Sequence, residues 1–401
     1  MIYLILVLVA LVAAVVVYLL KRGGGAGASP SAPASPSSAP KPIAPARPGP
    51  VAAKPVAPAP VAVPAPPLAP ATSATAAKRA IVRTADVHIK AMLQGFEWAY
   101  SADLSQNEIS EIVDVLQRIP RPPSALHKLV SPEFLANANT VDLADMVIAE
   151  PEIAAKVLAV VNSPFYGLKS PLGSVGQAVT FLGMNTVRSI CLQYMLDESF
   201  QSKDPEVRKI YERLWNASAF ASELCFKLAQ GLHLPDAGAL VTQVVLSFLG
   251  HVASHSLLSK ETLLPMMKKG MLERARVEQR ELGLCAAEIG SLLMREWALP
   301  EPIVQSVRAI DLSLVTPFDA AQPERVSAAF CYVCARLGER LAYGELKDLA
   351  TVDLYVDTSL EFFQLQTYLK EPPLARLNDL LHQPDLVSAI NAMVVAQQIR
   401  K

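Results

Sequence analysis

The spacing of apolar positions divides the chain into three stretches. Residues 2–20 are apolar throughout, with no charge and no polar group beyond the hydroxyls of Tyr3 and Tyr18. A helix of that length reaches about 28 Å, close to the thickness of a bilayer's hydrocarbon layer. Residues 23–77 then lose all periodicity and consist mainly of Pro, Ala, Ser, Gly and Val. From Lys78 onward apolar residues recur at three- and four-residue intervals, the period of an amphipathic helix.

Within that third stretch, start and stop residues mark the helices. Ile81 to Tyr100 reads as one amphipathic helix. Ser105 and Glu108 form a capping box before IVDVLQRI, and Thr140 with Asp142 opens DLADMVIA. Pro151 suits a first helical turn ahead of EIAAKVLAVV, and Ser163-Pro164 with Gly167 ends that helix. One or two helices follow between Val175 and Phe200. Further helices are expected at 206–230, 237–259, 261–280, 284–297, 301–310 and 323–343. Only VDLYVDT, 352–358, alternates weakly as a strand would. The expected fold is all-α.

The apolar segment is expected to be an uncleaved transmembrane anchor. A signal peptide would carry a basic n-region, a shorter apolar run and a small-residue cleavage site. Here the run ends in Tyr-Leu-Leu followed by Lys21 and Arg22. Positive charge on that side places the bulk of the chain in the cytoplasm, at the inner membrane. The Pro/Ala-rich segment is expected to be a disordered linker, partly polyproline II, with an upper reach of roughly 170 Å.

Charge sharpens the division. Residues 1–85 hold eight basic residues and no acid, while residues 86–401 hold 28 basic and 37 acidic residues, net −9. An acidic folded part argues against a nucleic-acid surface. The basic segment beside the anchor suits anionic lipid. The five cysteines are few and odd in number, as expected of free thiols in a reducing compartment. Cys331 and Cys334 form a CxxC without a second pair or nearby histidine, and read as core residues on a helix.

Candidate chemistry is sparse. His251 and His255, four apart in VVLSFLGHVASHSLL, share one helix face and raise the question of a metal pair. They read instead as satisfied helix histidines, one of them partly exposed. Val252 stands where a zincin has its glutamate, and no phosphate loop or nucleophile elbow is present. Trp215 and Trp297 read as core, and Arg188 as a surface or interhelix ion-pair partner.

PRPPSAL (120–126), DLADMVIAEPEIAAKVLAVVNSPFYGL (142–168), SVGQAVTFLGMNTVRSICL (174–192), Leu214-Trp215 with Ser218, and EIGSLLMREWALPEPIV (288–304) run in order. Together they resemble the HDOD domain, a relative of the HD metal-dependent phosphohydrolases, over roughly residues 109–310. The resemblance implies a helical bundle used in signalling, with the catalytic positions of HD relatives usually lost. Those positions fall on Ala217, Gly250, His251, Ala286, Ile310, Asp311 and, at or near it, Ala335. Alanine, glycine and isoleucine offer no ligand, so the resemblance implies a degenerate site without metal or other cofactor.

The expected organisation is an anchor (1–22), a linker (23–77), a helical lead-in (78–108), an HDOD domain (109–314) and a C-terminal helical extension (315–401). The expected function is a membrane-anchored bacterial signalling protein whose non-catalytic domain binds protein partners of its pathway. Asn162, Ser163, Phe165 and Tyr166 form a possible interaction loop. The alternatives are a metal-dependent phosphohydrolase or cyclic-dinucleotide phosphodiesterase, or a nucleotide sensor without turnover. Nothing in the sequence fixes the oligomeric state.

Overall fold

The helix Ala237–Leu257 (α9, numbered in chain order below) is apolar on every side, and fifteen of its residues from Leu240 to His255 are buried. A helix with no polar face belongs inside a bundle, and here its neighbours cover it on all sides. The coordinates are a computed structural model that describes residues 89–163, 166–357 and 359–399. Among those residues α9 is the one helix long and apolar enough to cross a membrane, but it lies mid-chain and is mostly buried. It is a core helix. The anchor expected at 2–20 and the linker at 23–77 lie outside the described residues.

The described residues are helical, with no strand among them. Five short helices lead in: α1 (Gln106–Leu116), α2 (Ala125–Val130), α3 (Pro132–Asn137), α4 (Thr140–Ile148) and α5 (Pro151–Val161). Then come α6 (Val175–Leu182), α7 (Met184–Glu198) and the 27-residue α8 (Pro205–Gly231). After α9 follow α10 (Lys260–Met266), α11 (Met271–Leu282), α12 (Ala286–Glu296), α13 (Glu301–Leu312) and α14 (Arg325–Tyr343). The chain closes with α15 (Leu365–Tyr368), α16 (Leu377–Leu381) and α17 (Pro384–Ile399).

Local chemistry sets many of these ends. Ser105 caps α1 by accepting from Glu108 N, while Glu108 accepts from Ser105 N at 2.8 Å. Pro151 occupies the first turn of α5 as its missing N–H allows. Asp204 caps α8 by accepting from Glu206 N and Val207 N, and Lys260 reaches the same carboxylate at 2.8 Å. Gly183, at φ 82°, turns the chain between α6 and α7 in a conformation that other residues rarely adopt.

The bundle is built around α8, α9, α12, α13 and α14. Two crossings are exceptionally close, and glycines allow them. A Cβ on Gly250 would lie 2.5 Å from the Ala286 carbonyl oxygen, so α9 and α12 touch backbone to backbone. A Cβ on Gly338 would lie 2.5 Å from the Ala217 carbonyl oxygen and 2.8 Å from Ala221 Cβ, which joins α14 to α8 in the same manner. Thus α14, within the expected C-terminal extension, lies at the heart of the bundle. Its Cys331 and Cys334 are fully buried core residues with free thiols, as the spacing suggests.

The structure corrects several expectations. The helix expected over 81–100 is helical at 89–94 in its described part and then runs extended to Tyr100. Polar groups hold that extended run: Gln279 accepts from Ala99 N, and Glu288 accepts from Ser101 N at 3.0 Å. The cap of α4 is Asn139, whose side chain accepts from Val141 N and Asp142 N, so that Thr140 is the first helical residue. The stretch 261–280 is two helices, separated at Gly270. VDLYVDT forms turns in its described part; Leu354 N donates to Asn378 Oδ1 rather than to a partner strand. Arg188 is not exposed, and no carboxylate among the described residues pairs with it. It is 1% exposed and donates to Asn185 Oδ1 and the Gly238 carbonyl.

Candidate functional site

The positions singled out by the sequence gather where α9, α12 and α13 meet, with α8 joined to α14 alongside. Ala217, Ala286, Ile310 and Ala335 are each buried to within 1% of full enclosure. Gly250 lies against Ala286, with no room for a side chain. His251 points to α13, its Nε2 3.3 Å from Asp311 Oδ2, and both side chains are buried. His255, one turn on, is 2% exposed, which corrects the expectation that one of the two histidines reaches solvent.

Around this pair stands a set of charged side chains that sequence reasoning missed. Glu278 on α11 is buried beside α9 and α12. Its Oε1 accepts from the Ser254 hydroxyl at 2.7 Å, its Oε2 accepts from Ala286 N at 2.8 Å, and His255 Nε2 lies 3.9 Å away. The carboxylate thereby sits at the N-terminus of α12, where the free N–H groups and helix dipole favour negative charge. On α14, Arg336 donates to Glu339, and the same carboxylate also accepts from Arg274 of α11. Arg336 is 1% exposed, and its guanidinium also lies over the Tyr332 ring.

Burial and neighbouring charges set the protonation of the cluster. Burial pushes the Asp311 carboxyl up, but His251 beside it, with the charge of Arg336, carries it below its ordinary value. Glu339 is held at about 2: burial opposes ionisation, and Arg274, Arg336 and His251 outweigh it. Glu278 is raised, because burial outweighs His251, Ser254 and the Ala286 N–H. Burial, with the charges of His251 and Arg274, drives His255 well below its ordinary value. In the cluster, Asp311 and Glu339 are thus shifted toward ionisation beside the guanidiniums, while burial shifts His255 and Glu278 the other way, toward their neutral forms.

A divalent metal needs three or four donors converging at about 2.0–2.2 Å. Among the described residues no group of three His, Cys, Asp or Glu side chains is arranged to hold one. The residues present do not fit a metal. Glu278 and Glu339 already serve other donors, and the buried guanidiniums of Arg274 and Arg336 would repel a second cation. Ala217, Ala286, Ile310 and Ala335 are buried by packing and offer no ligand side chain.

The other candidate residues lie apart, at the end of α5. Asn162 Oδ1 accepts from Leu172 N at 2.7 Å while its Nδ2 donates to the Leu172 carbonyl at 3.0 Å. This two-way bridge closes the base of the loop between them. Ser163 is half-buried, and the Tyr166 ring stands edge-on to Phe181 at 6.2 Å. Phe165 lies outside the described residues. Trp215 and Trp297 are core, as expected.

A signal for the missed charges existed. In AAFCYVCARLGERL the charges are Arg336, Glu339 and Arg340, and the first two fall at positions buried in the bundle. A charge in that register must find a partner or leave the core.

Residues 119–311 match the family model of the HDOD domain. An uncharacterized protein of Treponema pallidum (strain Nichols) is 22% identical over 203 residues, covering 50% of this chain and 39% of that protein. The chain thus spans about two-fifths of the length of that curated relative. An HDOD domain protein of unknown function from Geobacter sulfurreducens has a similar structure, with TM-score 0.50 and 16% identity over 72% of this chain and 96% of that one. A Shewanella amazonensis SB2B protein provisionally named a phosphohydrolase aligns with TM-score 0.46 and 17% identity, over 72% of this chain and 98% of that one.

Proposed function

With an HDOD domain over residues 119–311 as the premise, we propose that this protein is a non-catalytic signalling module that acts by binding protein partners and is held at the inner membrane by residues 2–20. One observation carries the non-catalytic reading. Of the positions that the resemblance assigns to metal ligands, Gly250 packs against the Ala286 carbonyl and Ala217, Ile310 and Ala335 carry no donor, and nearby Arg274 and Arg336 converge on Glu339. A water-activating metal needs converging donors and an open coordination position, and this arrangement supplies neither.

The anchor and linker complete the reading. Residues 2–20 have the length and composition of a membrane span, and Lys21 and Arg22 keep the rest of the chain cytoplasmic. A tether of this kind raises the module's effective concentration near membrane partners while letting it sweep. The net acidity of residues 86–401 supports a protein partner over nucleic acid.

Proximity labelling in cells with the full-length chain, beside a chain lacking residues 2–20, tests the reading. Reproducible membrane-associated protein partners, lost on removing the anchor, are expected. A labelling profile indistinguishable from that of a freely diffusing control protein would count decisively against it.

A further inference from the structure

Residues 95–101 lie against α11, α12 and α13 as an extended peptide lies in a binding groove, and side chains of the bundle hold their backbone. Gln279 accepts from Ala99 N at 3.2 Å and donates to the Glu97 carbonyl at 3.0 Å, so one side-chain amide grips two peptide units. Arg276 donates to the Met92 carbonyl at 3.0 Å just upstream, and Glu288 accepts from Ser101 N at 3.0 Å. Aromatic residues stand at alternate positions. Arg276 lies over the Phe96 ring at 5.4 Å and Arg308 over the Tyr100 ring at 5.3 Å, while Trp98 stands edge-on to Phe96 at 6.1 Å.

This contact differs in kind from the helix crossings, where glycines bring backbones together inside a sealed core. Phe96, Trp98 and Tyr100 are only half-buried, and a space of about 420 Å³ remains between residues 95–97 and α11. The groups that hold the segment are polar, so water can take them over when it leaves, and Glu288 keeps Arg308 as its ion-pair partner. A segment held by few buried apolar side chains opens locally, well below the cost of global unfolding. Downstream it is tied by the single turn Ser101–Asp103, ahead of the Ser105 cap of α1.

We propose that residues 95–101 are a releasable strap over a peptide-binding groove, which in the released state takes an extended segment of a protein partner carrying aromatic residues at alternate positions. Bonds to a peptide backbone do not depend on its side chains, so Gln279 and Glu288 serve any extended segment, and Arg276 and Arg308 select for rings. The strap and the partner segment compete for the same bonds, so the strap lowers the apparent affinity in proportion to the time it is docked. The inference rests on the reading above that the module binds protein partners, and supplies the surface that does so.

The probe is a fluorescent peptide with the sequence of residues 94–103, capped at both ends and titrated into the full-length protein in detergent micelles. Phe96→Ala with Tyr100→Ala in the protein weakens the strap and leaves the groove intact. This double variant should bind the peptide saturably, about tenfold more tightly than the wild type does. Adding Gln279→Ala removes two bonds and should weaken that binding about tenfold. Hydrogen–deuterium exchange of the wild type supplies a second measurement that needs no variant. Amides at 96–101 should exchange about a hundredfold faster than those of α9, and faster still with excess peptide. No saturable binding to the double variant, or equal affinity in double variant and wild type, overturns the groove. Exchange at 96–101 as slow as in α9, or unmoved by the peptide, overturns release. Peptide binding without partners in proximity labelling would sink the proposed function and leave the groove standing; labelled partners without peptide binding would do the reverse.

Discussion

His251 Nε2 lies 3.3 Å from Asp311 Oδ2, and both side chains are buried. The resemblance to HD relatives places both residues at ligand positions, each of the other donor type. Here they face each other across α9 and α13. Removing one member of such a pair strands the other, which costs more than the pair itself contributes. Asp311→Ala should therefore destabilise the fold by roughly 3–5 kcal/mol in urea titration, and Asp311→Ala with His251→Phe by clearly less than the sum of the single changes.

Glu339 carries a heavier load, since both Arg274 and Arg336 converge on it. Glu339→Gln leaves two buried guanidiniums without an anion and is expected to cost roughly 3–5 kcal/mol or more. The same carboxylate governs acid unfolding. Its folded value of about 2 lies below the unfolded carboxylate range, so its contribution is full above pH 5 and is lost as pH falls toward 2. Acid titration followed by circular dichroism should show a shallower loss of stability in Glu339→Gln.

His255 makes stability sensitive to milder acid. Burial holds its folded value well below that of the unfolded chain, about 6.5, so only the unfolded state gains a proton as pH falls below that point. Stability is then highest above pH 7 and declines below about 6.5, by up to about 1.4 kcal/mol per pH unit. Glu278, raised and 3.9 Å away, works in the opposite direction nearer its own range. The difference between wild type and His255→Gln isolates the histidine: melting temperature against pH should be flatter in the variant between pH 7 and 5.5. Parallel curves would contradict this assignment.

Gly250→Ala tests the closure of the site by packing. The added Cβ would lie 2.5 Å from the Ala286 carbonyl, so α9 and α12 must separate. Denaturant unfolding should show a loss of about 1–3 kcal/mol or more. An unchanged midpoint would mean that the two helices are not in backbone contact.

Ser105→Ala probes a feature legible in the sequence alone and should cost about 0.5–2 kcal/mol through loss of the α1 cap. Such features were readable because their chemistry is local. Ser105 and Glu108 are three residues apart, and Pro151 needs only its own missing N–H. The apolar spacing likewise marked a helix over 237–259, close to the bounds of α9. The rest depended on partners distant in sequence. Glu278 is given its role by Ser254 and Ala286, and Arg188 by Gly238, fifty residues away. The run 95–100 leaves the helix because Gln279 and Glu288 hold its end, which no local pattern encodes. Nor does any local pattern bring Arg274 together with Arg336 on Glu339, since Arg274 lies 65 residues before Glu339 on another helix.

Metal analysis of the full-length protein, purified without chelators and assayed in parallel for phosphodiesterase activity, tests the non-catalytic reading most directly. The expected result is far less than one Fe, Mn or Zn ion per chain and no hydrolysis of cyclic dinucleotides above background. About one or two such ions per chain, retained through purification together with phosphodiester hydrolysis, would contradict it.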